Sequence, residues 1–322
     1  MMRRFSVLLT FAGAIASAVP AAAAAQAPAT APHLSITTER VTTSGGRASA
    51  LAGQPWRVRL VLKPFVAGQV ATVRFYRGDR KVHVRRVALQ PSPTGESAFA
   101  LVPFTSGRPG RIVVRATHLA TPEAPTVVAK GVGVDVLTPS AGPGSRGPAV
   151  RLLLSQLAQR GYVVGRRGEY DARTARAVLA FRKVTGMART TVAGPEVFRR
   201  LARGGGQFRV RFPQHGKHVE ADLSRQVIAL IRDGKVERIY PTSSGAPSTP
   251  TIRGSFKVYL KTPGTNAKGM VFSSYFIRGY AIHGYASVPT FPASHGCLRV
   301  PVPDAVPIYN WLKHGDRVDV YP

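Results

Sequence analysis

The chain changes its hydrophobic rhythm twice. In the N-terminal third, apolar and polar residues alternate: Val58, Leu60 and Leu62 against Arg57, Arg59 and Lys63, then Val73 and Phe75 against Thr72, Arg74 and Tyr76. A period of two predicts strands with one face buried. Arg77-Gly78-Asp79-Arg80 reads as a hairpin turn into a strand over Val82–Leu89, and further strands are expected over Ser97–Val102, Arg111–Thr117 and Thr126–Leu137. The total of about seven strands over residues 26–138 predicts an immunoglobulin-like β-sandwich. The Arg77-Gly78-Asp79 tripeptide is short and turn-forming, and gives no argument for adhesion.

The stretch PSAGPGSRGP, residues 139–148, is a linker by composition, and a helical rhythm starts after it. Val150, Leu153, Leu154 and Leu157 form one stripe of a helix ending near Gly161; Asp171 caps a second, carrying Ala175, Val178, Leu179 and Phe181; Gly194-Pro195 opens a third with Val197, Phe198 and Leu201. These predict a small three-helix bundle over 149–203. Gly204-Gly205-Gly206 marks the next joint. Strands then return over 207–322: Val219–Leu223, Gln226–Arg232 and Lys235–Pro241, with a turn at Asp233-Gly234, and Ser255–Lys261 after the turn Thr249–Gly254. Asp304 is expected to cap a helix over Val306–Lys313 closed by Gly315, before a last strand Arg317–Tyr321. The predicted fold is therefore multidomain and mainly β.

Residues 1–25 carry the pattern of a signal peptide: Met1-Met2-Arg3-Arg4, an apolar run to Val19, and small residues Ala23 and Ala25 before Gln26. The apolar run falls short of the roughly 20 residues of a membrane span. The expectation is a secreted protein of the cell wall or periplasm, with no transmembrane segment after cleavage. Ala27–Pro32 reads as a flexible linker. A formal net charge of +30, from 45 basic and 15 acidic residues, is spread over all three regions. A nucleic-acid-binding arm would show as a local basic block, so nucleic acid is not the expected partner. Anionic polymers of the envelope suit an exported cationic chain better, although arginine-rich solvated faces explain the charge equally well.

Cys297 is the only cysteine, so the chain forms no internal disulfide. A single cysteine is ordinarily a small buried apolar residue. Its neighbours here are the parts of a nucleophilic site: Gly296 for a tight turn, His283 and His295 upstream as bases, backbone amides as oxyanion donors, and Arg299 two residues on, sharing the face of Cys297 and able to hold a carboxylate. Zinc ligation by His283, His295 and Cys297 is the competing reading, but the spacing matches no common zinc pattern. A redox thiol lacks a resolving cysteine. No cofactor is implied. Tyr275, Phe276, Tyr280 and Tyr285 are candidates to line a groove or to pack.

Two resemblances follow from these residues. Gly161-Tyr162, Tyr170-Asp171, Thr174, Ala177-Val178, Phe181 and Gly186 occur in the order of the three-helix peptidoglycan-binding domain, with Arg182 where that family usually has glutamine. Ile282-His283-Gly284 followed by Ser294-His295-Gly296-Cys297-Leu298-Arg299 resembles the signature of the L,D-transpeptidase (YkuD-like) catalytic domain. Ala221–Gln226, Ser244-Gly245, Thr249-Pro250, Gly254-Ser255-Phe256 and Asp304-Ala305 support it. The resemblance implies peptidoglycan stems as donor and acceptor, Cys297 as acylated nucleophile and His283 as general base, with His295 second choice. It further implies that Ser294 and His295 shape and polarise the turn and that the Gly296 and Cys297 amides bind the oxyanion; Arg299, Tyr275 and Gly284 are the candidate substrate contacts. The His283–Cys297 interval is shorter than in many members, and Arg299 stands where some have asparagine. The reaction implied is formation of 3-3 cross-links, in cell wall organisation and cell shape. An L,D-carboxypeptidase and a non-catalytic wall-binding protein are the alternatives.

Overall fold

The computed structural model of the chain describes residues 31–322 except 45 and 167. The signal-peptide expectation for residues 1–25 lies outside these. The N-terminal region contains β1 (His33–Glu39), β2 (Thr42–Ser44), β3 (Arg47–Leu51), β4 (Trp56–Lys63), β5 (Val70–Arg77), β6 (Arg80–Ala88), β7 (Gln90–Pro91), β8 (Ala98–Phe104), β9 (Gly110–His118), β10 (Val127–Val128) and β11 (Val132–Leu137). One sheet has the order β1-β4-β8-β7 and the other β2-β3-β11-β9-β5-β6, with β10 beside β9. The parallel β3–β11 pair closing an otherwise antiparallel two-sheet sandwich agrees with the immunoglobulin-like expectation. Inward residues fill it, centred on Trp56, which meets Phe75 and Phe104 edge-on. The expected strand over Thr126–Leu137 is broken in two. In the Arg77-Gly78-Asp79 turn, the Arg77 guanidinium is spent on Ser106 Oγ and the Arg108 and Pro109 carbonyls.

The helices are α1 (Pro148–Ala158), α2 (Ala172–Val184) and α3 (Pro195–Ala202). Asp171 caps α2 as expected, its carboxylate accepting the Thr174 N–H at 2.8 Å. Arg182, the departure from the family pattern, is buried and ties the α2–α3 connection together through the Val192 and Ala188 carbonyls and Glu196. Residues 139–148 do not behave as a free linker. Ala141 is buried and bridges Ala193, and Tyr170 N–H donates to the Ser145 carbonyl.

The C-terminal region holds β12 (His218–Asp222), β13 (Val227–Arg232), β14 (Lys235–Pro241), β15 (Gly254–Lys257), β16 (Leu260–Thr265), β17 (Val271–Ile277), β18 (Tyr280–Tyr285), β19 (Leu298–Pro301), α4 (Val302–Trp311) and β20 (Arg317–Tyr321). A five-stranded sheet β14-β13-β12-β20-β15 faces a four-stranded sheet β16-β17-β18-β19. Asp233 and Gly234 both have positive φ, the requirement of the tight turn joining β13 to β14. The single strand expected over Ser255–Lys261 is divided between the sheets: Val258 is buried, pairs with residues 315 and 316, and lets the chain cross from one layer to the other. Asp304 does not cap α4, which begins at Val302. It lies in the first turn, almost fully buried, with both carboxylate oxygens accepting from Arg176 of α2 at 2.7 and 3.0 Å.

The apolar run of β13 is buried on both faces. Ile228 and Leu230 point into the core between the sheets, with Ile282, Leu298, Val300 and Ile308. Val227, Ala229 and Ile231, with Ile239 of β14, join the helical core of Leu153, Val178 and Phe181. The helical region thus shares a core with the five-stranded sheet. The triglycine is part of this contact: Gly206 has φ +92°, and a Cβ there would lie 2.1 Å from the Phe181 ring. Ile239 N–H donates to the Gly161 carbonyl at 2.8 Å. Among the described residues no helix is long and apolar enough to cross a membrane.

Candidate active site

Parallel pairing of β18 with β19 sets His283 opposite Arg299 and Ile282 opposite Leu298. Because side chains alternate, Ile282, Gly284, Leu298 and Val300 face the core, while His283, Tyr285, Cys297 and Arg299 face a cavity of about 420 Å³. Lys268, Met270, Gly279, Tyr280, Ser294 and His295 complete its wall. Of the residues singled out in the sequence, Cys297, His283, His295, Ser294 and Arg299 therefore meet at one place. Tyr275 does not line this cavity; it lies on β17, where its hydroxyl meets Asn266. Gly284 points away from the cavity: a Cβ there would lie 2.8 Å from Ala305 Cβ and 3.1 Å from Val271 Cβ. Its service to the site is its carbonyl, which meets His283 Nδ1 at 2.9 Å. Phe276 is in the core.

That contact decides the imidazole tautomer. A carbonyl only accepts, so Nδ1 carries the proton and Nε2 keeps its lone pair. His283 is 3 % exposed, and burial lowers its pKa; the Gly284 carbonyl opposes this and Arg299 reinforces it. Burial pushes the Cys297 thiol up, against the Ala281 N–H, Arg299 and Lys268. The thiol lies 3.9 Å from the Gly279 carbonyl. Near neutral pH the cavity thus holds a neutral thiol and a neutral imidazole.

The turn that presents the sulfur is fixed by its own backbone. Buried Ser294 donates its hydroxyl to the Cys297 carbonyl at 2.6 Å and accepts the Gly296 N–H at 3.1 Å. The Gly296 amide, expected as an oxyanion donor, is therefore already engaged by the Ser294 hydroxyl. Gly296 has φ +112°, and its missing side chain leaves room for the Tyr280 ring, 2.5 Å from where a Cβ would stand. The Ala293 and Ser294 N–H groups donate to the Ser244 carbonyl, and Ser244 is gripped by both ends of the buried Gln226 amide. Lys183 of α2, 2 % exposed, donates to the Gln226 and Thr242 carbonyls at 3.1 and 2.8 Å. Arg189 reaches from the helical region to the Thr290 carbonyl in the loop between His283 and Cys297.

Arg299 Nη1 donates to the Ala293 carbonyl, and its guanidinium lies 4.2 Å from the Tyr285 ring centroid. Lys268 adds a second cation from the β16–β17 turn, which Asn266 Oδ1 pins through the Lys268 and Met270 amides. Sequence reasoning missed Lys268 and Met270, because nothing local indicates which turn folds over a cavity. His295 is exposed on the rim. Among the described residues no three His, Cys, Asp or Glu side chains gather as a metal-ligand set.

Residues 216–320 match the family model of the L,D-transpeptidase catalytic domain, and residues 146–201 that of the peptidoglycan binding domain. An L,D-transpeptidase structure from Xylanimonas cellulosilytica (residues 123–326) is 35 % identical, covering 57 % of this chain and 98 % of that one with a TM-score of 0.54. An L,D-transpeptidase from Stackebrandtia nassauensis is 23 % identical over 58 % of this chain and 98 % of its own, with a TM-score of 0.35. No curated protein matches. The chain belongs to the L,D-transpeptidase family. Its two matched regions indicate peptidoglycan as substrate.

Proposed function

We propose that this chain is a secreted enzyme that forms 3-3 cross-links in peptidoglycan by acyl transfer through Cys297, serving cell wall organisation and cell shape. Residues 1–25 act as its signal peptide, 26–138 as a sandwich domain, 149–203 as a wall-binding domain and 207–322 as the catalytic domain. The observation that carries this reading is the single cavity shared by Cys297, tautomer-fixed His283, Arg299 and Lys268. Two cations beside a nucleophile suit stem peptides, which carry carboxylates next to the reacting amide.

Cys297 Sγ attacks the carbonyl of the L-centred residue of a tetrapeptide stem while its proton passes to His283 Nε2. The oxyanion is held by the Cys297 amide. Collapse returns that proton to the departing D-alanine nitrogen and leaves a thioester. The side-chain amine of a second stem then attacks the thioester, His283 accepts its proton, and the sulfur leaves as thiolate to be reprotonated. His283 serves as base rather than His295, whose exposed ring has no comparable carbonyl tether.

Incubation of the purified chain with tetrapeptide muropeptides should give, by mass spectrometry, a cross-linked dimer and free D-alanine, and Cys297→Ala should give neither. D-alanine without dimer would overturn transfer in favour of hydrolysis. Neither product from the wild type, together with no carbapenem adduct on Cys297, would leave a non-catalytic wall-binding protein.

A further inference from the structure

A second concave site lies where the helical and catalytic regions meet, sharing no lining residue with the cavity at Cys297. It encloses about 490 Å³ and is lined by Val184 from α2, the connecting segment Gln207–Arg211, and Asp222, Arg225 and Tyr321 from the sheet ends. Three arginines, Arg209, Arg211 and Arg225, open into it and are exposed. Among the described residues none of the three guanidinium groups has a carboxylate partner within salt-bridge distance. The acidic residue in the wall, Asp222, turns its carboxylate to Ser224 Oγ and the Arg225 N–H.

The site is built rather than draped. Buried Glu220 accepts the Arg211 and Phe212 N–H groups at 2.7 to 3.0 Å, together with the Tyr321 hydroxyl, and so fixes the segment that carries two of the arginines. The Arg211 guanidinium lies 4.7 Å from the centroid of the Tyr321 ring. Arg225 crosses to the turn after α2, where Gly186 has no side chain and a Cβ would stand 2.7 Å from Arg225 Nη1. Three guanidiniums line one cleft with a single carboxylate, Asp222, itself engaged by Ser224 and the Arg225 N–H, which leaves an excess of positive charge that a bound anion would relieve. A phosphodiester presents its two charged oxygens from a tetrahedral centre, open to guanidiniums that approach from different directions, whereas the two oxygens of a carboxylate lie in one plane and suit a single fork.

We infer that this cleft is a binding site for a phosphodiester-bearing polymer of the envelope, gripping one phosphate between Arg209, Arg211 and Arg225. The ligand would be held at the joint between the helical and catalytic regions, leaving the Cys297 cavity free.

The test is titration of the full chain with a synthetic glycerol phosphate oligomer, and with a galacturonate oligomer of equal charge, at about 150 mM salt, where distant surface charges are screened. Arg209→Gln/Arg211→Gln/Arg225→Gln should weaken glycerol phosphate binding about tenfold or more. A control with the same loss of charge on exposed β6, Arg80→Gln/Arg85→Gln/Arg86→Gln, should weaken it by less than about threefold. Labelling of Cys297 at the wild-type rate shows that each variant is folded. If the triple variant fails that check, Arg209→Gln/Arg225→Gln replaces it and spares the Arg211–Tyr321 contact. Equal losses in both sets would reduce the effect to general charge and overturn the site. Absence of saturable binding, or preference for galacturonate, would overturn it as well.

Discussion

Replacing Gly296 with alanine tests whether the turn before Cys297 is set by backbone conformation and close packing. Two separate costs apply. At φ +112° an L side chain is strained by about 1–3 kcal/mol. The added Cβ would also stand 2.5 to 3.0 Å from three atoms of the Tyr280 ring, an overpacking that costs about 1–3 kcal/mol more. The sum is about 4 kcal/mol, which for a unit of this size lowers the melting temperature by about 8–16 °C. The chemical step should suffer as well. Ser294 Oγ bonds both the Gly296 amide and the Cys297 carbonyl, so a turn that moves by about 1 Å carries the sulfur with it, and such misplacement costs about a hundredfold in rate. The assay is thermal unfolding alongside the rate of Cys297 acylation by a carbapenem, followed by intact mass. Gly296→Ala/Tyr280→Ala separates the two costs: removing the ring should recover about half of the lost stability and leave the φ strain in place. A Gly296→Ala protein that melts and acylates like the wild type would refute the reasoning.

The acid limb of the Cys297 acylation rate should fall below the ordinary histidine range, because burial lowers His283, and it should vanish in His283→Ala; a limb at or above that range would point to another base. Burial and Arg189 push Lys183 down to about 7 from 10.5, so within that window the unfolded chain holds a proton the folded chain has released. Stability should therefore rise between neutral pH and about pH 10, seen as an increasing urea midpoint, and the rise should be reduced in Lys183→Met. Arg176→Ala leaves the Asp304 carboxylate buried without its partner and should cost about 3 kcal/mol in urea unfolding, whereas Arg176→Leu/Asp304→Leu should recover part of the loss. Gly206→Ala should destabilise the shared core by about 2 kcal/mol or more, since its Cβ meets the Phe181 ring, and Phe181→Leu should lessen that penalty.

What could be read from the sequence was what local rules decide. Asp171 caps α2, Asp233-Gly234 turns β13 into β14, and period-two alternation places Arg299 on the face of Cys297. Alternation also accounts for the placement of Gly284: it adjoins His283, and neighbouring strand residues face opposite sides, so its Cα faces the core. Asp304 stands near a helix start, like many caps, but its partner Arg176 is 128 residues away and no local rule pairs them. The same holds for the crossing at Val258, where a continuous strand-forming sequence serves two sheets. The triglycine reads as a joint between regions by composition, yet Gly206 is glycine because Phe181 fills the space a side chain would need. Lys183 sits among the residues of an amphipathic helix, and only the fold shows that it ends on two carbonyls beneath the Cys297 turn.

The core shared by the helices and the five-stranded sheet turns two matched regions into one piece of hardware. Where a tethered binding module would let the reaction centre sweep a volume, the wall-binding domain proposed above would work as a caliper. A wall strand held on the helical region would present only those stems that hang at a fixed offset from the grip, in the register of the glycan repeat. That gauge is set by packing and by Ile239 pairing with Gly161, with the triglycine itself part of the contact, and not by a tether of adjustable length.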